Sequence, residues 1–576
     1  MEGISSRAQE RHSKRIHDVF PRVNARRIRP LEEALNLMTD TPENTDAAVP
    51  AAKTSRRKFL TAIGIVAGSD TLYQAMTTLG YGAETQFTGA PDLSGARPGS
   101  SVLVIGAGLA GMLAAYELSK AGYKVRVLEY QNRAGGRNWS LYGGDTYTEL
   151  GGDTQKVGFS SGNYVNPGPW RIPYHHRTLL HYCKQFNVAL EPFIQFNHNA
   201  YVHNTDAFSN KPVRFKTAAA DFEGNVAELL AKAVNQNALD QELTVEDRQK
   251  LLEALRMWGM LDKDMKYKAN LISSSHRGYD RAPGGGVDGA PTPSTPFARS
   301  EILNSGVWRN IAMFMNEEMQ TTMFQPVGGM GMIGKAFAKQ IQPMITYNAK
   351  VTKMIQDKSG VTVTYTDTGT GAVTTAKADF CVCTMALSVL NQVESNLSPA
   401  KKAAIRAVPY GSSVKYGLEM KTRFWEDEDY IYGGHSFTNQ DISLVSYPNY
   451  NFFKEGPAVL IGCYSGGRAA MRLTGMSSAQ RIETCLQQGS VFHGANYRKN
   501  FITGAGVAWN RVPWTLGSCG QWTEETRATH YQKLVEVEDR IVLAGEHASY
   551  IGCWMEGAVT SSLDAIKRLH KRALEA

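Results

Sequence analysis

The chain is short of the features that mark metal-bound, nucleic-acid-binding or membrane-spanning proteins. Its seven cysteines (183, 381, 383, 463, 485, 519 and 553) form no Cys-x-x-Cys pair, and an odd number leaves at least one unpaired. No metal site is expected from them. Cys381 and Cys383 share one face of a strand pattern, which points to buried neutral thiols. No basic cluster with interleaved aromatics stands out, so nucleic acid is not an expected partner. The net charge is only +8, and the first 58 residues hold twelve Lys/Arg against eight Asp/Glu, leaving the remainder slightly basic. The apolar run TAIGIVAG at 61–68 is too short to span a membrane, so no stable insertion is expected.

What is present fits a soluble globular protein: 42% hydrophobic and 20% charged residues in 576. That length exceeds one hydrophobic core, so two or three domains are expected. Residues 1–54 are polar, mixed in charge and without periodicity, as in a flexible leader. SRRKFL at 55–60, ahead of the short apolar run, resembles a twin-arginine export signal and predicts a periplasmic or secreted protein. The long leader and the lack of a clear Ala-x-Ala site leave a cytoplasmic protein with a basic helix as the alternative.

The stretch around which the chain is organised begins at Val102: VLVIGAGLAG, a helix-like run over Leu113–Lys120, and a second strand, KVRVLE, ending on Glu129. Gly106, Gly108 and Gly111 make G-x-G-x-x-G between strand and helix. The first glycine permits the tight turn, the second lets backbone approach a pyrophosphate, and the third lets helix and strand pack closely. The helix N-terminus faces the phosphate charge, and Glu129 stands where a carboxylate accepts from ribose hydroxyls. QNRAGGR (131–137) adds two glycines and Arg137, able to meet the pyrophosphate from the other side.

With that stretch the sequence resembles the flavin amine oxidase family, and FAD is favoured over NAD. The resemblance continues in separated blocks over roughly 100–570. It implies an α/β fold: a discontinuous Rossmann-type FAD-binding domain (91–158, 319–407 and 537–576), a mixed-sheet substrate domain (159–210 and 408–536) and an inserted helical domain (211–318), after a signal and linker at 55–90. GPWRIP (168–173) looks like the segment of L-amino-acid oxidases whose arginine, here Arg171, holds the substrate carboxylate, a task suited to a planar guanidinium. AVLIGCYSGG (458–467) resembles the strand whose tyrosine, Tyr464, meets the same carboxylate. RIVLAGEHASYIGCWMEG (540–557) resembles the closing FAD motif, with Glu546 on ribityl or ribose hydroxyls and Trp554 as an aromatic wall. Val351 matches the residue that meets adenine through its backbone, and Lys415 the lysine that holds a water at flavin N5 and supplies positive charge during reoxidation by dioxygen.

Two departures from monoamine oxidases bear on the cofactor. Their flavin-attaching cysteine matches Ser518, and Cys519 falls one residue later where they carry a tyrosine, so FAD is expected to be non-covalent, with Trp554 left without its aromatic partner. The resemblance implies oxidative deamination of L-amino acids to 2-oxo acids, ammonia and hydrogen peroxide, by hydride transfer from Cα to N5 with O2 as acceptor, in a homo-oligomer. An amino-acid 2-monooxygenase, a monoamine or polyamine oxidase, and a flavin-loaded binding protein without turnover are the alternatives. The Gly- and Pro-rich run at 273–294 reads as a loop, a candidate lid over an entry path, with His276 in it facing either substrate or solvent.

Overall fold

A computed structural model describes residues 87–236, 238 and 243–575. The leader and export signal read from 1–68 lie outside the described residues. Among the described residues no helix is long and apolar enough to cross a membrane.

The first strand, Ser101–Ile105, is buried on both faces, and that is why it reads as a continuous apolar run. It sits centrally in a five-stranded parallel sheet, ordered Ile345–Thr346, Lys124–Leu128, Ser101–Ile105, Phe380–Cys383 and Ile541–Leu543. Strands distant in sequence thus share one sheet. The helices Leu109–Lys120 and Met555–Glu575 lie against each other beside it. Cys381 and Cys383 are buried in the sheet, and burial pushes both thiols up, Cys383 to about 12. The second large sheet has seven strands and is mixed, with Ser413–Met420 paired antiparallel between Ala458–Gly466 and Phe501–Ala508. The α/β expectation therefore holds.

Three local readings need correction. The helix after the glycines starts at Leu109, directly behind Gly108, four residues earlier than its apolar pattern suggested. The run SEILNSGVWRNIAMFMNEEMQ at 300–320, which by its apolar pattern reads as one helix, breaks at Gly306 (φ +69°), giving Arg299–Ser305 and Val307–Met315, and a further turn follows at Glu317–Met319. The run 273–294 is only partly loop. Asn270 and Ser273 cap a helix, Leu271–Arg277, and Tyr279–Arg281 pairs with Thr292–Pro293. Arg277 is buried against Asp221 at 2.7 Å, so the base of the segment is anchored. His276 is exposed and does not line the central cavity, so the solvent-facing reading applies.

One pairing was illegible in the sequence. Cys519 and Cys553 form a disulfide that joins the loop after Trp514 to the segment leading into the last helix, while the other five cysteines are buried free thiols.

The glycine motif generates a test. A Cβ on Gly111 would lie 1.9 Å from the Gly106 carbonyl oxygen, and the adjoining strand and Thr384 leave it no room. Gly111→Ala is expected to cost about 1–3 kcal/mol or more through overpacking and to empty the purified protein of its nucleotide. Thermal unfolding and the ultraviolet-visible spectrum check both effects.

Candidate active site

One cavity of about 1050 Å³ runs from the glycine turn to the edge of the seven-stranded sheet. At its first end Gly108 faces open space, with no protein atom within 4 Å of where a Cβ would stand, whereas Gly106 (φ +100°) and Gly111 are closed in by Thr384 and by backbone. The turn is therefore tight behind and bare in front, as a backbone cradle for a phosphate requires. Glu129 is buried at the strand tip. Its two oxygens accept the backbone N–H of Ala107 (2.6 Å) and Gln131 (2.9 Å), and burial pushes its carboxyl up. Val351 lies beside a bulge in the strand Ala349–Asp357 and lines the same end.

The middle of the cavity is closed by Glu546. Arg137 donates to it at 2.7 Å and to the Ser518 carbonyl at 2.9 Å, and the backbone N–H groups of Gly520 (3.2 Å) and Cys553 (3.1 Å) complete the set. Burial opposes both charges, but the pairing outweighs it: Arg137 is held above and Glu546 below the ordinary range. The sequence placed Arg137 on a pyrophosphate and Glu546 on sugar hydroxyls; in the folded chain the two also grip each other. Cys519 and Cys553 line this region as a disulfide, so no free thiol is available beside Ser518.

The far end gathers the remaining candidates. Arg171 is buried, with its guanidinium carbon 5.3 Å from the ring centroids of both Trp170 and Trp554, and its Nη2 donates to Met319 Sδ at 3.0 Å. Aromatic faces attract such a cation and hold its plane. Trp170 stacks on His435 (4.9 Å, 10°) and takes the edge of Tyr464 (4.9 Å, 83°). Lys415 and Tyr464 are cross-strand partners, and the Lys415 Nζ sits 4.1 Å from the Tyr464 centroid while donating to the Gly168 carbonyl at 2.5 Å. Arg171, Lys415, Tyr464 and Trp554 thus line one wall system.

Electrostatically this end is one-sided. Among the described residues the only acids lining the cavity are Glu129 and Glu546, both toward the glycine turn. Burial, reinforced by Arg171, pushes the Lys415 ammonium well below its usual range, so the fixed positive charge expected from the sequence is disfavoured in the open site. Burial, Arg171 and Lys415 hold His435 down at about 3. It is a neutral ring, bonded to the Ser446 hydroxyl at 2.9 Å.

Several contributors escaped the sequence reading: Trp170, Met319, His435 and a buried group behind the wall, His175, His176 and Glu318. Among the described residues these last three alone bring three possible metal-ligand atoms within 4.8 Å of one another. Trp170 was within reach, since it adjoins Arg171 in the quoted motif. The others come from distant segments and carry no spacing signal.

Comparison with known proteins places the chain in a family. Residues 109–569 match the family described as Flavin containing amine oxidoreductase. YobN of Bacillus subtilis (strain 168), provisionally named an L-amino-acid oxidase, is 28% identical over 492 residues, covering 82% of this chain and 95% of its own. The L-amino-acid oxidase of Siganus canaliculatus is 26% identical over 495 residues, covering 82% and 86%. Among solved structures, cyclohexylamine oxidase from Brevibacterium oxydans IH-35A superposes with a TM-score of 0.54 at 18% identity, covering 82% of this chain and 99% of the other, which speaks to the fold alone. The glycine cradle, the far-end cationic wall and a match that spans nearly all the described residues make the chain a member of the flavin-containing amine oxidoreductase family.

Proposed function

We propose that the protein is an FAD-dependent L-amino-acid oxidase that converts an L-amino acid, water and O2 into a 2-oxo acid, ammonia and hydrogen peroxide. The observation that carries this reading is the buried Arg171 at an end of the cavity lined by cations and aromatics and by no acid. A substrate carboxylate answers that charge, whereas a simple amine would add a second cation to it.

The residues at the glycine turn fit FAD. Gly106, Gly108 and Gly111 would receive the pyrophosphate, Glu129 the ribose, the Val351 backbone the adenine, and Arg137 with Glu546 the middle of the molecule. Bound FAD would supply a two-electron acceptor for the substrate, with O2 as the final oxidant. Arg171 and Tyr464 orient the α-carboxylate, and Trp170 with Trp554 keep the guanidinium plane from rotating. Lys415, held off its charged form, offers a proton acceptor and a hydrogen-bond partner for water near the reacting end. The substrate must itself lose an ammonium proton for its lone pair to assist, so turnover rises with pH. The disulfide supports an oxidising compartment and hence the export reading of the leader.

An oxidase for simple amines on this framework is the second reading, since the match to the family of flavin-containing amine oxidoreductases accommodates both. The two separate on one residue. Arg171→Ala is expected to lose about 2–5 kcal/mol, roughly 30- to 5000-fold in kcat/KM, on the best L-amino acid. Arg171→Lys should recover only part, because a lysine keeps the charge without the planar fork. A loss below about threefold in Arg171→Ala would remove the carboxylate clamp.

The pairing of Cys519 generates a second test. Acid precipitation of the yellow protein is expected to leave all flavin in the supernatant; flavin retained on the washed pellet would show a covalent link and contradict the non-covalent reading.

A further inference from the structure

Behind the wall that carries Arg171, two segments meet at one buried carboxylate. His176 Nε2 lies 2.9 Å and His175 Nε2 3.4 Å from the same oxygen of Glu318, and all three side chains are buried. The Nδ1 atoms of both imidazoles are buried without a hydrogen-bond partner. The tautomer that strands no N–H therefore places each proton on Nε2, with His176 donating to Glu318 and the His175 N–H in a longer contact with the same oxygen. A metal-bound histidine would need an acceptor at Nδ1, and neither ring has one, so the group reads as a closed hydrogen-bonded brace and not as an ion cage.

Its connections lead to the substrate wall. Glu318 belongs to the turn Glu317–Met319, whose Glu318 N–H is capped by Asn316 Oδ1 at 3.0 Å, and the next residue, Met319, places its sulfur against Arg171. His175 and His176 lie four and five residues beyond Arg171 on its own segment. His176 also sets its ring edge-on to Trp554 (5.1 Å, 83°). Glu556, two residues after Trp554, accepts the N–H groups of Thr178 (2.9 Å) and Leu179 (2.7 Å), at the start of the helix Arg177–Gln185. The segments bearing Arg171, Met319 and Trp554 are thus tied together within a few residues of each contact. Apolar packing would hold them at lower desolvation cost. What the carboxylate adds is direction, since it accepts along defined lines and fixes the register of the turn against the strand.

We propose that Glu318, with His175 and His176, is the positioning residue of the carboxylate clamp: it sets where Met319 and Trp554 hold the Arg171 guanidinium and so selects carboxylate-bearing substrates. This rests on the reading of Arg171 as that clamp. An ångström-scale shift of a positioning group costs about 100-fold in rate, so the effect should appear in substrate selectivity and not only in stability.

The test compares wild type, Glu318→Ala, Glu318→Gln and Arg171→Ala as flavin-loaded proteins. For each, kcat and KM are measured on the best L-amino acid and its decarboxylated amine, and the Kd of the matching 2-oxo acid is read from perturbation of the flavin spectrum. Glu318→Ala is expected to lose about ten- to 100-fold in kcat/KM on the amino acid and to weaken the 2-oxo acid, while the amine changes less than about twofold. Glu318→Gln keeps an acceptor oxygen and should recover part of the loss. Equal losses on amino acid and amine would make Glu318 a fold support and overturn the proposal. No loss in either Glu318 variant, with a large loss in Arg171→Ala, would overturn the brace and leave the clamp standing. No loss in Arg171→Ala would remove the clamp and the brace with it. If Glu318→Ala yields no folded holoprotein, Glu318→Gln decides, because it preserves volume and one hydrogen bond.

Discussion

The buried carboxylate of Glu546 is the contact on which the cavity depends. It takes N–H groups from Gly520 and Cys553 nearby in the chain and from Arg137, 409 residues away in sequence. Its desolvation cost is offset only while these donors stay in place, so the ion pair holds the early glycine segment against the closing segment. The Cys519–Cys553 disulfide ties together the two loops that carry the other donors, Gly520 and Cys553, and removes freedom from both. Trp554 then follows directly from Cys553, a residue held at φ +65°, and this turn aims the indole at Arg171.

From that junction the cavity divides into two electrostatic halves. The nucleotide half carries its carboxylates, Glu129 and Glu546, already engaged by backbone N–H groups or by Arg137. The far half carries Arg171 and Lys415 among tryptophan, tyrosine and neutral histidine. Two cations so close are not equally tolerated. The guanidinium keeps its proton at any ordinary pH, and the ammonium is the one that gives way, as the depression at Lys415 shows. On the proposed reading, a substrate carboxylate entering this half would supply the compensating negative charge, which would link binding to the protonation of Lys415.

What could be read from the sequence was what is local. Strand, glycine turn, helix and Glu129 lie within thirty residues, and each has a steric or hydrogen-bonding reason that survives without neighbours. Arg171, Lys415, Tyr464 and Trp554 were legible through short motifs, and the fold brings all four to one cavity. The rest failed for physical reasons. The motif placed Lys415 but not its charge state: its strand is paired on both sides and its ammonium is desolvated. The run at 273–294 looked mobile because glycine and proline dominate it, yet its base is held by a cap at Asn270 and by the Arg277–Asp221 pair, 56 residues apart in sequence. The disulfide and the His175–His176–Glu318 group come from segments 34 and 142 residues apart, and no spacing rule marks either.

The central claim is that the cationic wall selects a carboxylate and presents the Cα of one enantiomer. It is tested most directly by anaerobic mixing of the purified yellow protein, in a stopped-flow cell, with an L-amino acid, its D-enantiomer and its decarboxylated amine. The account predicts rapid bleaching of the oxidised flavin band by the L-amino acid and little by the other two. Bleaching by the amine as fast as by the L-amino acid, or by none of the three across the common amino acids, would contradict it.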